Sequence, residues 1–125
     1  MDETNQKKIL IADDEISVRF LLKRLLRRNY NVLEAINGEE VVDMARGEKP
    51  DIILMDIMMP KVDGYTACYT IKKDPLTKVI PIVMLTALGQ ELNVKLGKEI
   101  GADGYMTKPF SPRVLVDTIA QFLMT

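Results

Sequence analysis

Short apolar runs alternate with longer amphipathic segments along the whole chain. Each run is bounded by turn residues, a pattern typical of strands that are buried on both faces of a parallel sheet. The runs are residues 8–13, 31–34, 51–56, 81–86 and 104–107. Because a segment of helical length follows each run, the pattern predicts five β–α units, with helices covering both faces of the sheet.

Residues that begin and end helices stand where these units require them. Asn37 predicts the start of the second helix, with Glu40 at the capping-box position. Ser111-Pro112 predicts an N-cap followed by proline in the first helical turn. Asp74-Pro75 and Gly101 are predicted to end the third and fourth helices.

Composition narrows the class of protein. The chain has 125 residues, 47% of them hydrophobic and 28% charged, which predicts one globular domain over residues 1–125. A net charge of −1 gives no reason to expect binding to nucleic acid or to a membrane. The single cysteine, Cys68, fits a reducing cytoplasm. Histidine is absent, which excludes histidine-based catalysis, histidine metal ligands and a role as a phosphohistidine donor.

Polar side chains stand at the predicted carboxyl ends of four strands. Parallel strands bring their carboxyl ends to one edge of the sheet, where ligands bind in folds of this type. The residues at these ends are Asp13, Asp14 and Glu15 after the first strand, Asp56 after the third, Thr86 after the fourth and Lys108 after the fifth. We therefore expect three aspartates, a lysine and a hydroxyl group to meet at this edge of the sheet.

These groups fit phosphoryl transfer to a carboxylate. Clustered carboxylates need a compensating cation, and oxygen ligands without histidine or thiolate suit Mg²⁺ at Asp13, Asp14 and Asp56. A carboxylate can attack phosphorus to form an acyl phosphate, with Lys108 and Thr86 stabilising the phosphoryl oxygens. Asp56 is the best candidate for the nucleophile because it ends the central strand. The alternative for the acidic pair is that Asp14 or Glu15 caps the first helix.

Four segments resemble the receiver domains of bacterial response regulators, the CheY-like family. They are ILIADDE, DIILMDIMMPKVDGY, IPIVMLTA and GADGYMTKPF, and the similarity extends from about Lys7 to Met124. The resemblance implies a doubly wound, flavodoxin-like (βα)5 fold with strand order 2-1-3-4-5. It also implies a signalling domain that catalyses only its own phosphorylation and dephosphorylation, with a sensor histidine kinase or histidine phosphotransfer protein as donor.

The same resemblance assigns roles to individual residues. Asp56 is the implied phosphoacceptor and a Mg²⁺ ligand, together with Asp14 directly, Asp13 largely through water, and the main-chain carbonyl of Met58. Thr86 and Lys108 are the implied phosphoryl-sensing pair.

Three further features follow from the resemblance. Tyr105 is similar to the aromatic switch residue, Lys108–Pro109 is expected to be a cis peptide bond, and Gly64 is expected to have a positive φ. The implied output surface is the fourth helix, the fifth strand and the fifth helix, which contact an unknown protein target. The receiver is expected to be a monomer or a phosphorylation-dependent dimer.

The first helix predicts where the phosphodonor docks. Val18, Leu21, Leu22 and Leu25 form the stripe expected to face the sheet. Ile16 and Phe20 fall on the opposite side, beside Lys23 and Arg27, and with Pro109, Phe110 and Ser111 they resemble the surface that holds the donor's helical bundle. The alternative is that Phe20 folds over a neighbouring helix.

Other interpretations are still open at this point. Met58 and Leu88 cannot orient an attacking water, which predicts slow loss of phosphate unless both residues only pack against loops. A haloacid-dehalogenase-like phosphatase needs a second aspartate where Met58 stands, and a flavodoxin-like nucleotide or flavin binder needs a phosphate loop after the first strand. We favour a stand-alone receiver over one cut from a longer regulator.

Overall fold

A computed structural model of the protein describes residues 6–87 and 99–124. The elements in chain order are β1 (Lys8–Ala12), α1 (Ile16–Leu26), β2 (Asn31–Ala35), α2 (Gly38–Glu48), β3 (Ile52–Asp56), α3 (Gly64–Lys73), β4 (Ile82–Ala87), β5 (Gly104–Lys108) and a C-terminal helix (Pro112–Leu123). Every predicted strand is present within one or two residues of its predicted bounds. The predicted fourth helix lies mostly outside the described residues, as does Leu88; residues 99 and 100 are helical.

The strands form one parallel sheet in the order β2-β1-β3-β4-β5, which confirms the expected fold class. All five residues of the central strand β3 are buried, which explains why its sequence is almost continuously apolar. Helices cover both faces: α2 and α3 pack on one, and α1 and the C-terminal helix on the other.

The helix α1 buries a slightly different face from the predicted one. Leu22 and Leu26 are fully buried, whereas Leu21 is exposed. Val18 and Leu25 pack against the core at its margin. The buried stripe is therefore centred on two leucines one turn apart, and the prediction for Leu21 was wrong.

The predicted helix boundaries within the described residues are confirmed. The side chain of Asn37 accepts a hydrogen bond from the backbone N–H of Glu40 at 2.8 Å, and that of Ser111 accepts one from Val114 at 3.4 Å. Asp74 is the C-cap of α3. Gly101 follows the helical residues 99 and 100 with a φ of 91°.

The loop between β3 and α3 corrects one expectation. Gly64 is the first residue of α3 and has no positive φ; the left-handed residue of this loop is Lys61, with a φ of 67°. Glycine is needed at position 64 for space, because a Cβ there would lie 2.2 Å from the carbonyl oxygen of Asp56. The Gly64 N–H also donates to the carbonyl of Ile57 at 2.8 Å, so α3 begins directly against the end of β3.

Candidate functional site

Polar residues from four strand ends meet at the carboxyl edge of the sheet, as the sequence predicts. Asp13 follows β1, Asp56 ends β3, Thr86 lies near the end of β4 and Lys108 ends β5. Asp13 is 0% exposed and Asp56 5% exposed, and Thr86 is also buried. Ionisable groups buried to this degree need charged or hydrogen-bonding partners.

Among the residues that the structure describes, the ammonium of Lys108 is the cation that contacts these carboxylates. Its Nζ lies 2.7 Å from Asp13 Oδ2, 3.5 Å from Asp56 Oδ2 and 3.6 Å from Glu15 Oε1. Burial lowers the pKa of Lys108, but the close contact with the Asp13 carboxylate, followed by the charges of Asp56 and Glu15, outweighs it, so the pKa is raised. Lys108 therefore stays protonated among the three carboxylates.

Asp13 is held firmly in place by its neighbours. Its Oδ1 accepts from the backbone N–H of Glu15 at 2.9 Å, and its carbonyl oxygen accepts from Arg19 Nη1 at 2.8 Å. Its Oδ2 is in ion-pair contact with Lys108, although the angles there fall outside those of a good hydrogen bond. Glu15 occupies the N-cap position of α1 without a capping hydrogen bond from its side chain, so the interpretation of Glu15 as a helix cap was wrong.

The carboxylate of Asp56 is destabilised by its surroundings. Burial is the largest cause that raises its pKa, followed by the charge of Asp13, and Asp14 contributes in the same direction. Lys108 and a hydrogen bond from the backbone N–H of Met58, 3.3 Å from Oδ1, lower it. The net result is a pKa of about 6.

The carboxylates suit a hard divalent cation. Asp13, Glu15 and Asp56 each offer an oxygen atom within 4.8 Å of the other two. Only oxygen ligands are present in this cluster, and one of them, Asp13 Oδ2, is buried without a hydrogen bond, which fits Mg²⁺. The side chain of Asp14 is exposed and does not belong to the cluster. The metal-ligand roles of Asp14 and the Met58 carbonyl stay predictions.

Sequence reasoning missed Glu15 as a member of this cluster. The available signal was its place as the third acid in Asp13-Asp14-Glu15. Met58 is exposed, so the interpretation that its side chain only packs against the loops is not supported.

Tyr105 of β5 lies beside the core on the α2–α3 face. Its hydroxyl is buried and has no hydrogen-bond partner among the residues that the structure describes, and the same is true of Tyr65. Burial, followed by the proximity of Tyr65 and Cys68, raises the pKa of Tyr105. Cys68 is a buried free thiol whose pKa burial raises to about 12.

The predicted docking residues are on α1 and on the loop after β5. Ile16 and Phe20 are exposed, Phe20 to 65%, so the alternative that Phe20 folds over a neighbouring helix was wrong. The peptide bond Lys108–Pro109 is cis, as expected. A groove of about 480 Å³ separates the start of α1 from the loop after β5; it is lined by Glu15, Ser17, Val18, Leu21, Lys108, Pro109 and Phe110.

Known proteins resemble the chain in both sequence and structure. The family model for the response regulator receiver domain matches residues 9–120. The chain is 50% identical over 108 residues to the alkaline phosphatase synthesis transcriptional regulatory protein PhoP of Bacillus subtilis, which covers 86% of this chain and 44% of PhoP. A putative response regulator from Chloroflexus aurantiacus is 38% identical with a TM-score of 0.90, over 97% of this chain and 100% of that chain.

A third relative carries a metal ion. The receiver domain of the sensor histidine kinase PA1611 from Pseudomonas aeruginosa is 26% identical with a TM-score of 0.88, over 96% of this chain and 99% of that chain. Its structure has a magnesium ion coordinated in the active-site cleft.

The chain spans about half the length of the curated relatives it matches. Among the described residues, no helix has the length and apolar character needed to cross a bilayer.

The raised pKa of Asp56 predicts that Asp56→Asn stabilises the metal-free protein at neutral pH. The pKa is about 6 in the folded chain against an ordinary value of 3.8, so the folded state binds this proton more tightly than the unfolded state. Wild-type stability is then lost as the pH rises from about 4 to above 6, by up to about 3 kcal/mol. Asparagine is uncharged and similar in size, so the variant avoids this loss.

Urea unfolding in the presence of EDTA, measured between pH 4 and pH 8, checks this prediction. The advantage of the variant should shrink as the pH falls towards 4. The control is Asp117→Asn, which removes an exposed carboxylate and should change stability little at any pH. An Asp56→Asn protein that is less stable than wild type at pH 7 contradicts the prediction.

Proposed function

The chain belongs to the response regulator receiver domain family, and on this premise we propose that it is a phosphorylation switch that accepts a phosphoryl group on Asp56. The observation that carries the proposal is the position of this carboxylate. Asp56 is almost fully buried at the end of the central strand, with the ammonium of Lys108 3.5 Å from its Oδ2. The two functions left open by the sequence, a phosphatase and a flavin binder, have no comparable support.

The chemistry is nucleophilic transfer to a carboxylate oxygen. An Asp56 oxygen forms a bond to phosphorus while the bond from phosphorus to the donor atom breaks, which leaves an acyl phosphate on the protein. Lys108 supplies positive charge to the phosphoryl oxygens, and Thr86 supplies a hydroxyl donor. Asp13 is a poorer nucleophile than Asp56, because it is fully buried and lies 2.7 Å from Lys108.

We propose that Asp13, Asp14, Asp56 and the main-chain carbonyl of Met58 hold Mg²⁺. The oxygen-only cluster supports a hard cation here, and the magnesium ion in the related receiver domain of PA1611 supports the choice of metal. When bound, Mg²⁺ supplies positive charge beyond that of Lys108 to the phosphoryl group. Lys108 supports the buried carboxylates of Asp13 and Asp56 at this site, since its Nζ lies 2.7 Å and 3.5 Å from their oxygen atoms.

We expect Asp56 to be the sole phosphorylation site and Mg²⁺ to be required. Wild type treated with acetyl phosphate and Mg²⁺ should gain the mass of one phosphoryl group, whereas Asp56→Asn should gain none and EDTA should abolish labelling. Intact-protein mass spectrometry measures this, with Asp117→Asn as the control that should label like wild type. Full labelling of Asp56→Asn is the result that removes the assignment.

Phosphorylation is proposed to act through Thr86 and Tyr105. Thr86 is buried and directly follows Leu85, the residue paired with Asp56 in the sheet, so its hydroxyl can follow the phosphoryl oxygens. The Tyr105 hydroxyl has no partner within the described part of the chain, so moving the ring breaks no hydrogen bond there. The proposed output surface is β5, the C-terminal helix and the predicted fourth helix, which lies mostly outside the described residues. Its target is proposed to be a protein, reached by a monomer or a phosphorylation-dependent dimer.

Thr86→Ala should separate phosphorylation from its effect. The variant should still accept phosphate from acetyl phosphate, because the charges at Asp56 are unchanged, although more slowly than wild type without the hydroxyl donor. The change in hydrogen exchange at β5 and the C-terminal helix on phosphorylation should disappear. Thr107→Ala is the matched control, since Thr107 pairs with Thr86 in the sheet but is exposed. An unchanged exchange response in Thr86→Ala contradicts the coupling.

The phosphodonor is proposed to dock on Ile16, Phe20, Pro109 and Phe110. Pro109 and Phe110 line the groove that reaches Lys108, and Ile16 and Phe20 are exposed on α1, whose first residues line the other side of that groove. Exposed aromatic and aliphatic side chains next to a functional cleft are typical of contact sites. A histidine kinase or phosphotransfer helix lying on this surface brings its phosphohistidine towards Asp56.

Phe20→Ala is expected to slow transfer from a protein donor at least tenfold, because a large exposed contact is lost. The donor is the histidine kinase or phosphotransfer domain that labels wild type fastest in a panel of purified, autophosphorylated proteins. Labelling by acetyl phosphate should not change. The matched control is Leu76→Ala, since Leu76 is 69% exposed, close to the 65% of Phe20. Equal losses with both donors mean damage to the fold and count against docking.

A further inference from the structure

The side chain of Glu15 lies at the entrance to the acidic site. Its carboxylate is 3.6 Å from Lys108 Nζ, and one of its oxygens lies within 4.8 Å of oxygens of both Asp13 and Asp56. The side chain is 59% exposed, unlike those of Asp13 and Asp56. A group that approaches Asp56 from solvent therefore passes close to this charge.

The fold does not explain this position. Glu15 is the N-cap residue of α1, yet its side chain makes no capping hydrogen bond. An exposed ion pair adds little to stability, and Lys108 already has a carboxylate from Asp13 at 2.7 Å. Three carboxylates around one ammonium leave an excess of negative charge, and Glu15 is the member of the group that faces solvent.

We propose that Glu15 is a specificity-determining residue that disfavours small dianionic phosphodonors at Asp56. This inference rests on the proposed phosphorylation of Asp56. A free dianion has to approach against the Glu15 charge, with no contacts elsewhere to offset the repulsion. A protein donor docked on α1 gains its binding energy from other contacts, so it is affected less.

Two small phosphodonors of different charge make this testable. Acetyl phosphate is a dianion at neutral pH; its bond from phosphorus to oxygen breaks as the Asp56 oxygen binds phosphorus, and acetate leaves. Phosphoramidate is a zwitterion with one net negative charge; its bond from phosphorus to nitrogen breaks in the same way, and ammonia leaves. Both reactions give the same phosphorylated protein. The ratio of the two rates therefore measures how much more strongly the charge at the entrance slows the donor with two negative charges than the donor with one.

The experiment compares Glu15→Gln with wild type at saturating Mg²⁺. The rate with acetyl phosphate, divided by the rate with phosphoramidate, should rise about fourfold at low ionic strength, as expected for one charge at about 5 Å in water. The increase should become smaller at high salt, because ions screen the repulsion. Glu48→Gln is the matched control: Glu48 is similarly exposed and lies 3.7 Å from Lys8, away from the site, so its ratio should equal that of wild type.

The other outcomes overturn the inference. Equal changes with both donors mean that Glu15 acts on Lys108 or on Mg²⁺ and not on donor charge; the Mg²⁺ affinity of each variant, measured by isothermal titration calorimetry, tells these two apart. An unchanged ratio with normal labelling overturns the proposed role of Glu15 but not the proposed phosphorylation of Asp56. Failure of wild type to accept phosphate from either donor overturns the proposed function as well.

Discussion

Within the described residues, one ammonium group holds the acidic edge of this sheet together. Lys108 lies within 3.6 Å of the carboxylates of Asp13, Asp56 and Glu15, the first two of which are buried. One positive charge cannot neutralise three negative ones, so the site keeps a net negative charge that favours the binding of a cation. Burial, followed by the negative charge of Asp13, raises the pKa of Asp56 in spite of the nearby lysine. Loss of the ammonium would leave two buried carboxylates unpaired, which is strongly destabilising.

This interaction depends on how the strands are arranged. Lys108 and Asp13 lie far apart along the chain, and they meet only because parallel strands all end at the same edge of the sheet. The order of the strands places β3 at the centre, so Asp56 has a polar neighbour on either side. Gly64 completes the arrangement by letting α3 start against the backbone of Asp56.

The sequence predicted the strands, the helix boundaries and the polar strand ends, because apolar periodicity and capping residues act locally. It failed where the outcome depends on how elements approach each other. The need for glycine at position 64 comes from the backbone of another element, and the motif offered no sign of it. In the same way, three consecutive acids cannot reveal that Glu15 faces Lys108 while Asp14 points to solvent. These directions are set by the turn into α1.

The buried thiol has a practical consequence for experiments in solution. Cys68 is the only cysteine of the chain, and with a pKa of about 12 it carries almost no reactive thiolate at neutral pH. Maleimide dyes and spin labels should therefore not react with the Cys68 thiol while the domain is folded. A cysteine introduced at an exposed position can then be tagged selectively in the native background, without first replacing a residue that packs inside the core.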